Sequence, residues 1–505
     1  MVDNRSTGQR LIKGSIVRTS NLFLQLIVSF FMMPFIIHSL GDRMYGFWVL
    51  VGTFIGYYGL LDLGLSSAVG RYVSRALGRN NIKEINDIVN TSLFLFIGLG
   101  VIALLISFMA AVFSFYFIEN PDEVNLFRKV IVILGLGMAV GFPMRVFGGI
   151  LTSYLRYDLY TYASILRLLV SNVLIFYFLQ KGFGILALAM ISFSASLLEY
   201  ATILFFAVKT FPHLEVGSSF FKKDRAMQLF RYSGKSFIAQ IANMLRFKLD
   251  PFVIAGFLNL NLVTYYSVGA RLMEYFVQFI MSAFGVMSPV FSQYEGRNDF
   301  DSIRRKFLDV TKISIIVSVF IGASIIYYGK SFIQRWMGPD FESSYYVVLI
   351  LCVPYITALM QNPSIGLLYG ISKHHYFAIT NICEGLLNLI ISVILVKYYG
   401  IYGVAMGTGI SMIILKIFVQ PIFVCRVINL SLYKYYFKTL LLTTLKILIP
   451  LLLYFYIVED YLKADYMNII MLGTIQTLLF IPLIFFLVLQ KEERQLIIRS
   501  VSFTQ

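Results

Sequence analysis

The sequence predicts an all-α, polytopic transmembrane fold of about 14 helices. It is read as two parallel six-helix lobes related by a pseudo-two-fold axis along the membrane normal, plus a C-terminal helix pair. Three observations predict this: the composition, a series of long apolar runs, and an internal repeat. Of 505 residues, 58% are hydrophobic and only 13% charged, a balance that a water-soluble domain of this length does not reach. The apolar runs are continuous and about 20 residues or longer, the length a helix needs to cross a bilayer. Barrel strands would alternate apolar and polar residues instead.

In chain order the spans are read at 14–38, 45–70, 88–118, 128–153, 161–180, 183–208, 235–258, 263–289, 312–330, 344–370, 376–396, 401–425, 438–458 and 467–489. The basic start before span 1 (Arg5, Arg10, Lys13) resembles a secretory signal, but the run is too long and no small-residue cleavage site follows it. It is expected to be a retained first helix. Cys352, Cys383 and Cys425 stand apart in or beside apolar runs, so no disulfide framework or thiolate metal site is expected. His374 and His375 lie on a short loop with no third ligand nearby and read as a solvated pair. The run Gly135 to Gly141 lies inside an apolar helix with no strand before it, which points to close helix packing rather than nucleotide binding.

The net charge of +16 takes its meaning from where it falls. With the N-terminus inside, the cationic excess sits on the tails and on the connectors after even-numbered spans, while the opposite connectors are close to neutral or acidic. This is the positive-inside bias, and it places both termini in the cytoplasm. The clusters Arg71, Arg75, Arg79, Lys83; Lys222, Lys223, Arg225, Arg231; and Arg297, Arg304, Arg305, Lys306 are expected to meet anionic phospholipid headgroups. No connector is long enough to be a nucleic-acid-binding module, so no nucleic-acid partner is expected.

The repeat is visible by eye. Pro34 to Ile37 matches Pro251 to Ile254 at an offset of 217, and Gly78 to Asn81 matches Gly296 to Asp299 at 218. Gly149 and Arg156 match Gly366 and Lys373, and Gly182 and Ala187 match Gly400 and Ala405. An offset of six spans, an even number, inserts both copies with one orientation. The divisions that follow are 1–210 (spans 1–6), 211–427 (spans 7–12) and 428–505 (spans 13–14 with a cytoplasmic tail), and the cleft between the lobes is the expected transport path.

Several stretches together carry a resemblance: Pro34 to Gly41 with Tyr45-Gly46, Gly59 to Gly64, Gly149 to Asp158, and Asp250-Pro251 followed by Tyr266-Ser267. The chain resembles the polysaccharide-exporting branch of the multidrug/oligosaccharidyl-lipid/polysaccharide (MOP) exporter superfamily, the O-antigen-type flippases. The resemblance implies two six-helix lobes in the bacterial cytoplasmic (inner) membrane. The activity it implies is outward flipping of undecaprenyl-pyrophosphate-linked oligosaccharide, with polysaccharide assembly proteins as further partners. A lipid II flippase or an ion-coupled multidrug exporter of the same fold are alternatives. A membrane enzyme of polysaccharide assembly is disfavoured, because the longest external connector, about 10 residues around Glu119 to Phe127, holds no acid/base constellation; no catalytic residues are assigned.

Ionisable side chains inside spans cost about 3 kcal/mol or more unless they face water or a partner. The basic candidates for a cationic substrate path are Arg145, Arg246, Lys248, Arg271 and Lys416, because a pyrophosphate or acidic sugar needs fixed positive charge. The competing expectation is local neutralisation, Arg246 by Asp250 and Arg271 by Glu274. Arg167, Lys446 and Arg18 are read as snorkelling to the inner interface. Export against a gradient needs a coupled ion, H+ or Na+, or the membrane potential. Asp250, with Asn381, Glu384 and Asn388 on about one face of span 11, is the candidate coupling site; no other cofactor or metal is expected. The remaining buried acids are Asp62, expected either to contact the path or to cap a helix break, and Glu274.

Overall fold

A computed structural model describes residues 4–488, apart from 117–119, 248, 285–286, 372 and 374, together with Arg494. Among the described residues the chain is helical without strands. Among the described residues eleven helical segments are long and apolar enough to cross a membrane, and one of them, Tyr376–Val427, is two helices joined at Gly400. Gly400 makes the reversal at φ 56°, and Ser392 Oγ then reaches Val404 O across the hairpin. Spans 7 and 8, read at 235–258 and 263–289, are helical too, as Lys223–Phe247 with Asp250–Phe257 and as Leu260–Phe284 with Ser288–Gly296. The expected all-α polytopic fold is therefore the observed one.

Many helices run beyond their predicted spans. Span 9, read at 312–330, is part of Phe300–Trp336, which begins where Asp299 accepts a hydrogen bond from Ser302 N at 2.9 Å. Hydropathy marks only the stretch in hydrocarbon, whereas capping and propensity carry the helix on into water. The same cap stands in the first copy, where Asn81 Oδ1 accepts from Glu84 N at 3.0 Å. Each cap follows an asparagine of positive φ, Asn80 at 53° and Asn298 at 54°, so the offset of 218 is also a repeat of local geometry.

Several predicted spans are broken rather than kinked. Span 2 runs as Asp42–Tyr57, tightens over Tyr58–Asp62, reverses hand at Leu63 and Gly64, and restarts as Leu65–Gly78. Pro34, Pro143, Pro354 and Pro450 lie inside helices. Pro251, Pro289 and Pro363 instead open helices at the first turn, where a missing N–H costs nothing. Pro34 and Pro251 thus match in sequence but differ in role.

A widened π turn, Ile414–Val419, precedes Pro421 in span 12. Proline donates no hydrogen bond to the preceding turn, and the orphan carbonyls find side chains instead: Tyr436 OH donates to Ile417 O, and Gln361 Nε2 to Lys416 O at 2.5 Å.

By compactness the chain divides into two units, Met1–Met244 and Leu245–Gln505. The first is centred on spans 2, 3, 4 and 6, with Val69, Val89, Phe96, Phe142 and Ile150 fully buried. Glycines set its tightest contacts: a Cβ on Gly135 would lie 2.1 Å from Ser107 Oγ, and one on Gly141 2.3 Å from Tyr200 OH, the close packing read from the Gly135 to Gly141 run. Connector 211–222 is strapped to span 3, because Asn86 and Asn90 each donate to and accept from its backbone at residues 213–217. In the second unit spans 13 and 14 pack against span 9: Tyr327 stacks on Phe455 at 4.2 Å and Gln476 donates to Ser324 at 2.7 Å. Large apolar side chains such as Phe31, Val173, Phe205, Tyr456 and Leu478 stand exposed, a surface suited to acyl chains.

Candidate functional site

Asp250 opens the short helix Asp250–Phe257, directly before Pro251, and is buried. Its Oδ1 accepts from Asn388 Nδ2 at 3.2 Å; its Oδ2 accepts from Thr408 Oγ1 at 3.1 Å and from the Tyr266 hydroxyl. Asn388 Oδ1 in turn accepts from Ser392 Oγ at 2.8 Å and lies 3.2 Å from Thr408 Oγ1. Spans 7, 8 and 12 each contribute one side chain, Asp250, Tyr266 and Thr408, and span 11 contributes Asn388 and Ser392. The Thr408 hydroxyl has a single proton for two acceptors, Asp250 Oδ2 and Asn388 Oδ1. A carboxylate, an amide oxygen and two hydroxyl oxygens converging in a dry site form a donor set for a proton or a small hard cation.

The second constellation lies next along span 11. Lys416 Nζ is 3.3 Å from Glu384 Oε2, 3.0 Å from Gln420 Oε1 and 3.4 Å from Asn381 Oδ1, with its side chain 3% and that of Glu384 1% exposed. Two expectations change here. Lys416, read as part of a cationic path, is locked inside the protein against a carboxylate. Asn381, Glu384 and Asn388, read as one oxygen cluster, divide: Asn388 serves Asp250, and the other two serve Lys416. Helical spacing put all three on one face, but span 12 presents a threonine to one turn of that face and a lysine to the next.

Two of the first unit's ion pairs involve charges that the sequence places inside spans. Asp62 Oδ1 accepts from Ser66 N at 3.2 Å and Oδ2 from Ser66 Oγ at 2.5 Å, and Arg145 Nη1 donates to Oδ2 at 2.6 Å. Asp62 therefore both caps the restarted helix of span 2 and holds Arg145, whose guanidinium also lies 4.5 Å over the Phe142 ring and whose side chain stays 30% exposed. Glu199, buried on span 6, accepts from Ser164 Oγ at 2.7 Å and from Arg167 Nη1 at 3.3 Å. Arg167 is thus tied to a partner inside the bundle rather than simply snorkelling.

Arg271 and Glu274 pair at 2.6 Å with side chains 45% and 39% exposed. Glu274, expected among the buried acids, is partly open, because helix Leu260–Phe284 turns this face away from its packed side at Val268, Met273 and Phe276. Lys248 and the side chain of Arg246 lie outside the described residues, as do His374 and the side chain of His375. Tyr266, Thr408 and Gln420 were not singled out as site residues in the sequence. Hydroxyls and amides are common in packed membrane helices, and only Tyr266, within the Tyr266-Ser267 stretch that carries the resemblance, stood out at all.

Residues 42–346 match the family described as polysaccharide biosynthesis protein. Over 502 residues the chain is 20% identical to the uncharacterized membrane protein EpsK of Bacillus subtilis, covering 95% of this chain and 96% of that one. It is also 20% identical over 425 residues to a putative O-antigen transporter of Shigella flexneri, covering 81% of this chain and 97% of the relative. Among solved structures, the lipid II flippase MurJ in an inward closed conformation aligns with TM-score 0.70 and 16% identity over 92% of this chain and 98% of that one. An inward-facing multidrug-resistance MATE transporter of the MOP superfamily aligns with TM-score 0.68 and 17% identity over 80% and 94%. With more than half its length matched, the chain belongs to the polysaccharide biosynthesis protein family, and it shares its all-helical fold with these solved structures.

Proposed function

We propose that this protein flips an undecaprenyl-pyrophosphate-linked oligosaccharide, an O-antigen or other surface-polysaccharide repeat unit, outward across the bacterial cytoplasmic membrane, with both termini in the cytoplasm. The observation that carries the reading is the family match over residues 42–346, joined to alignment with 97% of a relative named as a putative O-antigen transporter. The work divides between two six-span lobes, 1–210 and 211–427, by alternating access. Arg145, held by Asp62 with its guanidinium partly open, is the anion-facing residue of the first lobe, and Arg271 that of the second. Asp250, with Asn388, Thr408 and Tyr266, binds the coupling proton or sodium ion, and no covalent chemistry on the glycan is involved. The basic connectors bind anionic phospholipids, and polysaccharide assembly proteins receive the product.

A second reading, lipid II flipping, is favoured by the MurJ alignment, which reaches 92% of the chain. Deleting the gene and reconstituting the purified protein separate the two. Loss of surface polysaccharide with accumulation of its lipid-linked repeat unit, and flipping of that lipid in liposomes, support the proposal. Intact polysaccharide together with rescue of a lipid II flippase deficiency would replace it with the second reading.

A further inference from the structure

The two copies hold an ion pair between corresponding spans, 5 with 6 and 11 with 12, with its polarity reversed. At the offset of 217, Ser164 and Arg167 correspond to Asn381 and Glu384; on the following span, where Gly182 and Ala187 match Gly400 and Ala405 at 218, Glu199 lies one residue beyond Leu198, the counterpart of Lys416. In the first copy the base is on the earlier helix, Tyr157–Gln180, and the acid on the later one, Ile185–Thr210, with 3.3 Å between Arg167 Nη1 and Glu199 Oε2. In the second copy the acid is on the earlier helix and the base on the later, again with 3.3 Å between them. Ser164 touches the acid of its pair, and its counterpart Asn381 touches the base of the other. The site has kept its demand for one carboxylate and one cation while exchanging the helix that supplies each.

The surroundings of Lys416 say what the demand is. Its ammonium, a compact charge with three donors, faces three oxygens, Glu384 Oε2, Gln420 Oε1 and Asn381 Oδ1, and lies 5.2 Å over the Phe377 ring. One carboxylate, two amide oxygens and an aromatic face, nearly sealed from solvent, are what a small monovalent cation would be offered. We infer that Glu384, Asn381 and Gln420 form a monovalent-cation site that the chain fills permanently with its own tethered cation, Lys416, as Arg167 fills the corresponding place at Glu199. Joined to the proposed role of Asp250, on which this one consequence rests, the filling leaves Asp250 as the exchangeable site and sets the coupling at one cation. The alternative of two adjacent exchangeable carboxylates is removed by a covalent bond rather than by selectivity.

The test uses full-length protein in detergent, with methylammonium, sodium or choline chloride at equal ionic strength. Lys416→Ala is expected to gain about 3 °C or more in thermal midpoint from methylammonium over choline. Wild type, whose site is filled, and the neutral pair Glu384→Gln/Lys416→Met, which has no carboxylate, are expected not to respond to methylammonium; a sodium shift common to all three proteins belongs to Asp250. A folded Lys416→Ala protein with the same midpoint in methylammonium, sodium and choline would overturn the inference. Should Lys416→Ala not fold, the transposed pair Glu384→Arg/Lys416→Glu, which copies the polarity of the first half, is expected to purify at wild-type yield. Its loss beside normal yield of the neutral pair overturns the inference equally. None of these readouts involves transport, so the ion dependence carried by Asp250 stands or falls separately.

Discussion

Asp62 and Asp250 are both buried carboxylates, yet they answer their burial differently. Asp62 accepts from Ser66 and is matched by Arg145, so its negative charge is part of the resting structure. Asp62→Ala removes the cap and leaves the guanidinium over Phe142 without its carboxylate; a loss of about 2–3 kcal/mol is expected. Arg145→Ala is expected to cost less, because Ser66 continues to satisfy the acid and the arginine was already partly open. Thermal unfolding of the two single variants and the double variant checks this, with a coupling energy near zero as the contrary result. Asp250 has neutral partners among the described residues, and the proposed coupling role gives its charge to an exchangeable cation. Asp250→Asn is expected to abolish the dependence of lipid-linked oligosaccharide flipping on a sodium or proton gradient, and Thr408→Val to weaken apparent cation affinity about tenfold. Unchanged gradient dependence in Asp250→Asn liposomes would remove Asp250 from coupling. The sequence disclosed Asp62 and Asp250 readily, since a charge inside an apolar run is conspicuous; it could not disclose their partners, which arrive from spans as far as 158 residues away.

Glycines at close approach set several helix pairs in this protein. In the hairpin of spans 11 and 12, a Cβ on Gly407 would lie 2.1 Å from Ser392 Oγ and 2.7 Å from Ser392 N, and one on Gly403 2.3 Å from Leu395 O. The obstacles include backbone, which cannot swing aside. Gly407→Val is therefore expected to spread the hairpin, pull Thr408 from Asn388, and lower stability by about 3 kcal/mol. Gly473→Ala, which meets nothing within 4 Å, is expected to be neutral. Fluorescence-detected size exclusion after graded heating separates the two, and equal tolerance at both positions would contradict the packing argument. At this scale the sequence was informative about existence and weak about continuity. Apolar runs located the spans, and Gly400 was marked by the repeat as the partner of Gly182. The break of span 2 at Leu63 and Gly64 was visible only as one of two readings of Asp62. The start of a new helix at Asp250, inside the span read at 235–258, is not legible in the sequence, because a proline that bends a helix and one that opens a helix leave the same letter.

The repeat explains twelve passes and leaves spans 13 and 14 unassigned, which invites the view that they are an appendage. Their contacts argue otherwise. Tyr435, fully buried, stacks on Phe307 of span 9 with 5.7 Å between centroids and 10° between planes. Its neighbour Tyr436 donates to Ile417 O, a carbonyl that Pro421 leaves without its helical partner. Further out, Ile447, Leu451 and Phe455 bury themselves against Ile315, Val319 and Tyr327, and Gln476 reaches Ser324. Removing the pair thus strips an apolar face from span 9, which lipid tails can cover, and also uncovers backbone and amide groups that lipid cannot satisfy. The expected outcome of ending the chain after Asn429 is failure to accumulate as a monodisperse protein, rather than a folded twelve-span protein lacking activity. Tyr435→Ala alone is expected to cost about 3–5 kcal/mol through the cavity beside Phe307, whereas Tyr436→Phe, which keeps the ring and removes only the donor to Ile417 O, is expected to cost about 1–3 kcal/mol. Membrane yield and size-exclusion profile of the truncation, with thermal midpoints of the two point variants, measure this directly. A well-behaved truncated protein with the wild-type midpoint would show that spans 13 and 14 rest on span 9 without supporting it.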